Sequence, residues 1–444
     1  MSAPMPFATS FRREQARGVA ARSSLAGARS WYEASAPALA PAPPLRGTVE
    51  ADVVVVGAGY TGLSAALDLR ARGYSVAVLE AGRIGGGASG RNGGQIVTAY
   101  NPSMARIEGL VGREDARRLW AMGEESKAII RERVERHAID CDLHWGYIFA
   151  ALKDRQVGAL DAMQREWQAY GYDGLQRLDR GEIRSWIETD KYAGGLFDPG
   201  GGHLHPLKYV QGLARAAREA GVALYEDSPV VRIETETKPV ATTAEGAVRA
   251  RHMILAGNAL FRLVPSMAWR IMPVTTFMIG TAPLAPERAD ALVRGRHAVA
   301  DINFVLNYYR VSADHRMLFG GGVSYSGFDG PGLRARLRRT MLRFFPHLAD
   351  APIEFCWGGW VDISLNRLPH FGRLGPSTYF AQGFSGHGVA LTGLAGRLMA
   401  EAVATTAERF DVFARLPHHP FPGGPLRTPA LVAATAWYRL RDLL

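Results

Sequence analysis

The chain has 444 residues, of which 47% are hydrophobic and 21% charged, and it carries a formal net charge of +10 at pH 7. This length allows more than one hydrophobic core, so two domains are expected, and no apolar run approaches the roughly 20 residues that a transmembrane segment needs. The basic residues form no single stripe and accompany no nucleic-acid motif, so a soluble protein without a nucleic-acid partner is expected.

The N-terminal part predicts little regular structure. Residues 1–30 are rich in Ala, Ser and Arg and lack the apolar region of a secretory signal. Their composition allows an organellar transit peptide, and we favour a disordered or mis-started extension. Residues 36–45, APALAPAPPL, form a proline-rich lead-in that is neither helix nor central strand. We therefore expect residues 1–48 to precede a folded body that begins near Val49.

The next stretch has the pattern of a dinucleotide-binding unit. Val53–Val56 is a short β-branched run, typical of a buried parallel strand. Residues 57–62, GAGYTG, then supply a glycine for a tight turn, one for close approach of a pyrophosphate and one for helix packing. A helix from about residue 60 to 72 presents its N-terminus to that anion. Glu80, after a strand at 75–79, is placed to accept hydrogen bonds from a ribose diol.

Residues 85–100, GGGASGRNGGQIVTAY, are dense in glycine directly after the second strand. A flexible surface loop is one interpretation. The alternative, which we favour, is a backbone that presses against a ligand while Arg91, Asn92 and Gln95 offer it hydrogen-bond donors.

The middle of the chain predicts helices and then a return to the first sheet. Residues 113–136 and 156–170 have helical apolar spacing and are most simply covering helices. Residues 203–260 repeat a helix-and-strand pattern, which makes the preceding helices an insertion. His203 and His205 have no nearby carboxylate, so we expect no metal site there.

Residues 271–325 change to the alternating pattern of an antiparallel sheet in a second domain. Within NYYR, either Tyr308 with Arg310 or else Tyr309 faces inward, because neighbouring side chains of a strand point to opposite faces. An amphipathic strand and a substrate-facing wall are equally compatible with this stretch.

A second glycine-rich turn lies near the C-terminus. A short strand reaches Gly383, GFSGHG follows, and a long helix of small residues begins near His387. A helix N-terminus behind such a turn is suited to hold negative charge.

The two cysteines, Cys141 and Cys356, are far apart and not in a metal-binding spacing. This excludes a disulfide framework and a cysteine-based zinc site. It suits a reducing compartment, and we expect the protein in the cytoplasm.

Four stretches carry a family resemblance: GAGYTGLSAAL, ASGRNGGQ, WGGWVDISLNRLPHFG and AQGFSGHGVALTGLAGRLMAEA. With them and Glu80, the chain resembles the FAD-dependent amine and D-amino-acid oxidoreductases of the glutathione-reductase-like fold. MPVTTF, NYYRVSADHRMLFGGGVSYS and NRLPHFG make it most similar to the gamma-glutamylputrescine oxidoreductase group within that superfamily. The similarity runs from about Ser30 to the C-terminus.

The resemblance implies an α/β fold, α+β overall, with an FAD-binding Rossmann domain and a second, antiparallel-sheet substrate domain. We assign residues 49–100, 200–260 and 355–410 to the FAD domain and residues 101–199 and 261–354 to the substrate domain. Residues 411–444 are assigned to a C-terminal tail and helix.

The resemblance also implies site residues. The residues expected to bind FAD are Gly57, Ala58, Gly59, Tyr60, Thr61, Gly62, Glu80, Ala81, Ser89, Arg91, Asn92, Gly93, Gly94, Gln95, Val231, Ala256, Gly257, Asn258, Gly383, Gly386, His387, Gly388 and Val389. The candidate catalytic residues are His387, Gln95, Tyr309 and Arg310, and no metal is expected.

The implied reaction is oxidation of an amine. A hydride passes to flavin N5, the resulting imine hydrolyses to an aldehyde, and dioxygen or another acceptor takes up the electrons. A helix N-terminus near flavin N1 and C2=O would stabilise the negative charge that develops there. The lack of a nucleophile triad or metal cluster is compatible with this chemistry.

Two positions depart from the small-amino-acid oxidases of the superfamily. Sarcosine-oxidase-like relatives hold the substrate carboxylate with an arginine and a lysine, and the corresponding positions here look like Gln95 and Ala390. Without that clamp, a carboxylate beside the reacting carbon would be unpaired. A polyamine derivative such as gamma-glutamylputrescine is therefore the expected substrate, with Arg310 available for a more distant carboxylate.

Three alternatives stay open. One is an amino-acid dehydrogenase or a sarcosine/glycine-type oxidase, and another is a flavoprotein that acts as an assembly or binding factor without turnover. A thioether from Cys356 to the flavin is the third, and we prefer non-covalent FAD. The oligomeric state is not readable from the sequence.

Overall fold

The computed structural model describes residues 25, 27–258, 263–324, 330–424, 428–429, 431–433 and 437. The predicted extension before residue 25 and most of the predicted C-terminal helix lie outside these residues. The helices are α1 Trp31–Ser35, α2 Tyr60–Ala71, α3 Ala88–Arg91, α4 Met104–Arg136, α5 Asp154–Ala169, α6 Arg180–Trp186, α7 Pro206–Glu219, α8 Pro265–Ala268, α9 Pro286–Leu292, α10 Leu333–Phe344, α11 Gly388–Val403 and α12 Glu408–Ala414.

The strands form two sheets. They are β1 Gly47–Val56, β2 Val76–Leu79, β3 Gln95–Ile96, β4 His144–Ala151, β5 Gln176–Leu178, β6 Gly194–His203, β7 Ala223–Tyr225, β8 Arg232–Glu234, β9 Val240–Thr242, β10 Gly246–Leu255, β11 Ile271–Thr281, β12 Ala298–Asp301, β13 Tyr308–Val311, β14 Met317–Ser324, β15 Ile353–Ser364, β16 His370–Arg373 and β17 Thr378–Gln382.

The first sheet has a parallel centre in the order β17-β10-β1-β2-β7. β16 pairs antiparallel with β17, and β9 pairs antiparallel with β10 and β8. Val53–Val56 lie between two neighbours and are buried, as expected for a parallel strand with both faces covered. Such a sheet binds ligands in the crevice at the carboxyl ends of its strands.

Helices α2 and α11 pack against each other beside this sheet. A Cβ added to Gly396 of α11 would lie 2.5 Å from Ser64 Cβ of α2 and 2.7 Å from Thr61 O. A side chain at residue 396 would therefore push the two helices apart. The helix predicted near residues 60–72 is confirmed with its end at Ala71.

The second sheet has the order β15-β11-β14-β13-β12-β4-β6-β3, with β5 beside β6. Its pairs are antiparallel except for the parallel pair of β12 with β4. β4, β5 and β6 come from the part of the chain in which the sequence suggested only covering helices. β6 contains five glycines and a proline, so its composition does not favour a strand.

Two parts of the expected domain division do not match the sheets. Residues 353–364 pair with β11 in the second sheet, although residues from 355 onward were expected in the FAD domain. Gln95 and Ile96 likewise pair with β6 rather than with the first sheet.

The expectation that the folded body begins near Val49 is wrong. Ser30, Trp31 and Tyr32 are buried, and α1 has a capping box between Ser30 and Glu33. Residues 37–46 carry neither helix nor strand, as the prolines predict. Within the described part of the chain, no helix combines the length and apolarity needed to cross a membrane.

Candidate cofactor and substrate site

The first glycine turn follows β1 at the carboxyl end of the parallel sheet. Gly57 has φ +107°, and a Cβ there would lie 2.7 Å from Ala256 O. A Cβ on Gly62 would lie 1.9 Å from Gly57 O, so α2 can approach the turn only without a side chain at that position. The turn and the helix N-terminus thus have the form of a pyrophosphate site.

The glycine-dense segment meets this turn. Ser89 Oγ of α3 accepts a hydrogen bond from Tyr60 N at 3.0 Å, and a Cβ on Gly59 would lie 2.7 Å from the same oxygen. The Tyr60 hydroxyl donates to Pro206 O at 3.0 Å, so this side chain is engaged in packing. Thr61 is buried in the first turn of α2. The backbone of residues 57–62 and the side chain of Ser89 together form one wall of the crevice.

Glu80 lies directly after β2 beside the same turn. Its Oε2 accepts from Ala58 N at 2.8 Å, and its Oε1 accepts from Gly82 N at 3.1 Å. Burial raises the pKa of the Glu80 carboxyl, while these backbone donors lower it. A carboxylate has about four acceptor positions, so the backbone contacts from Ala58, Ala81 and Gly82 leave room for a hydrogen bond from a ribose diol. Ala81, its neighbour, is exposed.

The contact predicted between Val231 and adenine stays a prediction. The Val231 side chain is 46% exposed, and its N–H donates to Thr242 O at 2.8 Å. Ala256 and Gly257 follow β10 at the crevice, and both are half-buried.

Arg91 does not offer its guanidinium to the crevice. Its Nε donates to Gly358 O at 2.9 Å, its Nη2 to Ala28 O at 2.6 Å, and its Nη1 pairs with Glu33 Oε2 at 3.2 Å. These contacts occupy most of its N–H donors with protein oxygens, so the role of this side chain as a ligand donor stays a prediction without support from the geometry.

Asn92 shapes the glycine-dense segment from within. Its Nδ2 donates to Ala88 O at 2.9 Å and to Ser89 O at 3.0 Å, and its Oδ1 accepts from Gly94 N at 2.8 Å. Gly94 has φ +74°, a conformation that favours glycine. The side chain of Asn92 thus fixes the turn that carries Gly93 and Gly94.

Gln95 lies where the first and second sheets meet. Its Nε2 donates to Val299 O at 3.1 Å, and its Oε1 accepts from the Tyr147 hydroxyl at 3.3 Å. These contacts attach the side chain to the second sheet, and the role of Gln95 in catalysis stays a prediction.

The second glycine turn precedes α11. Gly383 and Gly386 have φ +76° and +94°, and Ser385 has φ +52°. The buried Asp362 of β15 holds this turn, because its Oδ2 accepts from Gly383 N and its backbone O accepts from Ser385 N at 3.0 Å. Gly388 and Val389 begin the helix that follows.

Two buried polar atoms at this turn lack a partner among the described residues. They are His387 Nδ1 and Asn258 Oδ1. Burial lowers the pKa of His387 to about 4, so its imidazole is neutral at pH 7. Buried polar atoms normally have partners. Two unpartnered atoms beside a helix N-terminus and two glycine turns therefore fit a polar cofactor such as FAD.

Tyr309 and Arg310 lie in packed surroundings. Tyr309 is fully buried in a hydrophobic cluster with Phe319 and Phe345, and its hydroxyl lies 2.9 Å from that of Tyr192. Arg310 is 1% exposed and donates to Gly93 O and Leu204 O at 3.1 Å each. These contacts give both side chains structural roles, so their assignment as catalytic residues stays a prediction without support from the geometry.

Tyr308 is the tyrosine of the NYYR stretch that reaches the glycine-dense segment. A Cβ on Gly93 would lie 2.7 Å from Tyr308 Cε2, and a Cβ on Gly320 would lie 2.2 Å from the same ring. Strand alternation had left Tyr308 and Tyr309 equally open. Asp362 was missed altogether, since a lone acid in a strand carries no sequence signal.

The expected absence of a metal and of a covalent flavin link stays a prediction. His203 Nε2 lies 2.8 Å from Arg296 O, and His205 caps α7. No cluster of three or more potential metal ligands is found in the part of the chain that the structure describes. Cys356 packs against the hydrophobic cluster that contains Tyr309, whereas its neighbour Trp357 points to the opposite face of β15 and bonds to Arg91 O, so the thiol points away from the glycine-dense segment.

The parallel sheet, the two glycine turns and the acid after β2 define a protein with a dinucleotide-binding domain. The family model described as FAD dependent oxidoreductase matches residues 52–402. The chain belongs to this family.

Named relatives agree with this family. A gamma-glutamylputrescine oxidoreductase of Escherichia coli (strain K12) is 45% identical over 418 residues, which cover 94% of this chain and 98% of the relative. A probable oxidoreductase OrdL of Haemophilus influenzae is 43% identical over 84% of this chain and 87% of its own length. The crystal structure of glycine oxidase from Geobacillus kaustophilus matches with TM-score 0.70 and 24% identity, covering 83% of this chain and 99% of that one. This last likeness concerns the fold.

Proposed function

We propose that this protein oxidises gamma-glutamylputrescine or a closely related polyamine derivative at the carbon beside its amine, giving an imine that hydrolyses to an aldehyde. The observation that carries the proposal is the 45% identity over nearly the whole length of both chains to a gamma-glutamylputrescine oxidoreductase. The positions Gln95 and Ala390 add to it, because neither residue pairs with a carboxylate beside the reacting carbon.

Bound FAD supplies the acceptor for the two electrons of the C–H bond. The chain supplies the surroundings in which that transfer occurs. The N-terminus of α11 places backbone amides at the second glycine turn, and the neutral His387 adds no positive charge of its own. Stabilisation of developing negative charge therefore falls to the helix N-terminus rather than to an imidazolium.

The proposal includes three further assignments. FAD is held non-covalently, dioxygen or another acceptor reoxidises it, and the reaction takes place in the cytoplasm. Cys141 and Cys356 form no disulfide, which suits a reducing compartment.

The test is an anaerobic titration of the purified protein with gamma-glutamylputrescine, followed by flavin absorbance. Putrescine, sarcosine, glycine and D-alanine are the comparison substrates. We expect bleaching by the glutamylated amine and much slower bleaching by the amino acids. Gly59→Val provides the flavin-free control, because a side chain there occupies the space in which the backbone approaches the pyrophosphate.

Each other outcome points to a named alternative. Bleaching by sarcosine or glycine alone would identify an amino-acid oxidase, and a bound flavin that none of these amines reduces would favour a binding or assembly factor. Admission of air after bleaching then distinguishes an oxidase from a dehydrogenase.

A further inference from the structure

The first residues that the structure describes lie against the glycine-dense segment of the cofactor site. We call residues 25 and 27–35 the N-terminal segment. Its Trp31 and Tyr32 are 3% and 0% exposed, so the segment is built into the core. Trp31 Nε1 donates to Asp314 Oδ2 at 3.1 Å, a contact that spans 283 residues of sequence.

The N-terminal segment holds the Arg91 side chain. The guanidinium donates to the backbone oxygens of Ala28 at 2.6 Å and Leu25 at 3.3 Å and pairs with Glu33 at 3.2 Å. Burial lowers the pKa of Arg91, and the Glu33 carboxylate opposes that change. Glu33 is itself oriented, since its Oε2 accepts from Ser30 N at 2.7 Å. Arg91 is thus a buried cation whose charge is compensated by the N-terminal segment.

A second buried arginine connects the same segment to Gly93. Arg310 Nε donates to Gly93 O at 3.1 Å, while its Nη2 donates to Leu204 O at 3.1 Å and to the Tyr32 hydroxyl at 3.4 Å. Tyr32 therefore accepts from the guanidinium that fixes the carbonyl of Gly93. A hydrogen bond from a charged donor is stronger than a neutral one.

Trp357 completes the connection. Its Nε1 donates to Arg91 O at 3.2 Å, and its ring meets that of Tyr32 edge-on at 5.3 Å between centroids. Trp357 is fully buried. The Arg91 carbonyl therefore accepts from Trp357, whose ring packs against Tyr32. The Gly93 carbonyl accepts from Arg310, which also donates to the Tyr32 hydroxyl.

We propose that the N-terminal segment sets the position of residues 91–94 against the bound cofactor, with Glu33 and Tyr32 as positioning residues that act through Arg91 and Arg310. Residues 93 and 94 are glycines and have no side chains to fix their own backbone. The inference rests on FAD binding at this site, and only one of its readouts depends on the proposed substrate.

The test compares Glu33→Gln and Tyr32→Phe with the wild-type holoenzyme. Glu33→Gln removes the charge, and Tyr32→Phe removes only the hydroxyl and keeps the ring against Trp357. Arg46→Gln is the matched control, because Arg46 is 78% exposed and pairs only at the surface with Glu245. The readouts are visible circular dichroism of the bound flavin, FAD affinity, thermal midpoint, and the rate of anaerobic reduction per bound flavin.

We expect both variants to retain FAD, because the first glycine turn and Glu80 are untouched, and to change the visible dichroism of the flavin. Reduction per bound flavin should fall by about 10–100-fold, the scale of a displacement near 1 Å in the site. Glu33→Asp, which keeps the charge, should recover part of the rate. Arg46→Gln should match the wild type in all four readouts.

Two results would overturn the inference. One is unchanged dichroism and unchanged reduction in both variants. The other is a variant with a lower thermal midpoint and lower FAD content but a normal rate of reduction per bound flavin. That result would show that Glu33 and Tyr32 only stabilise the fold. If the wild type is not reduced by gamma-glutamylputrescine, the proposed function fails, and the dichroism still decides this inference.

Discussion

The imidazole of His205 is buried with both nitrogens engaged. Its Nδ1 accepts from Lys208 N at 3.2 Å as the cap of α7, and its Nε2 lies 3.0 Å from Ser35 Oγ. The Ser35 hydroxyl donates to Trp31 O, so it accepts from Nε2–H. The ring is therefore neutral, and burial lowers the pKa of His205 to about 3.

We predict that His205→Asn weakens the dependence of stability on pH. The folded-state pKa lies below the ordinary 6.5, so this group stabilises the fold above pH 6.5 and loses that contribution as the pH falls toward 3. Asn keeps a capping acceptor but does not titrate. The slope of unfolding free energy against pH should decrease by about 1.4 kcal/mol per pH unit, which corresponds to one proton bound on unfolding.

Urea unfolding between about pH 5.5 and pH 4 measures this slope, because in that range the histidine is charged in the unfolded state and neutral in the folded state. The variant is expected to be less stable at pH 7, because its smaller side chain leaves space beside Trp31 and Tyr32. Parallel curves for the two proteins would contradict the prediction.

Some residue roles followed from local sequence and others did not. The glycines at 57, 59 and 62 were predictable, because their spacing encodes a turn within six residues. The arginines were not, since Arg91 binds Gly358 O and Arg310 binds Gly93 O across 267 and 217 residues. A local sequence pattern does not reveal a hydrogen-bond partner that is distant in sequence. An arginine with such a partner therefore looks available as a ligand donor.

At the scale of elements, the close packing of α2 and α11 gives a prediction about glycine. Gly396→Ala should lower the unfolding free energy by about 1–3 kcal/mol, because its Cβ would overlap Ser64 Cβ and Ala65 N. Gly158→Ala in α5 is the matched control, with nothing within 4 Å of its Cβ. The control should stabilise by about 0.5–1 kcal/mol through helix propensity alone. Equal effects of the two substitutions in chemical denaturation would exclude tight packing at residue 396.

The strands differ in how far the sequence indicated them. Val53–Val56 at the end of β1 is β-branched and β2 is uniformly apolar, and these patterns predicted both directly. β6 was not predicted, because its glycines do not favour a strand. They are required where side chains of other elements pack against the backbone, since a Cβ on Gly201 would lie 2.6 Å from Tyr147 Cβ. Its strand conformation is set by tertiary packing rather than by propensity.

At the scale of the whole molecule, Glu226 joins the proline-rich lead-in to the cofactor domain. Its Oε2 accepts from Ala42 N and its Oε1 from Ile84 N, each at 2.7 Å, and Arg83 lies 3.1 Å away. The Glu226 side chain is 1% exposed. One carboxylate thus connects two segments that precede it by more than a hundred residues.

We predict that Glu226→Ala destabilises the protein by roughly 1–3 kcal/mol, because Ile84 N is left buried without an acceptor. Glu226→Gln should cost less, since its amide oxygen still accepts one hydrogen bond. Glu245→Ala is the control, with an exposed carboxylate that faces Arg46. Thermal unfolding should rank the proteins in that order, and a neutral Glu226→Ala would refute the role of this link.

The N-terminal segment also imposes an order on events during synthesis. It is synthesised before its partners Asp314 and Trp357, which follow it by about three hundred residues. The parallel sheet has the same dependence, because β17 at Thr378–Gln382 must pair with β10. The N-terminal segment therefore cannot complete its contacts until Trp357 has been made, and the parallel sheet of the cofactor crevice is incomplete until β17 has emerged.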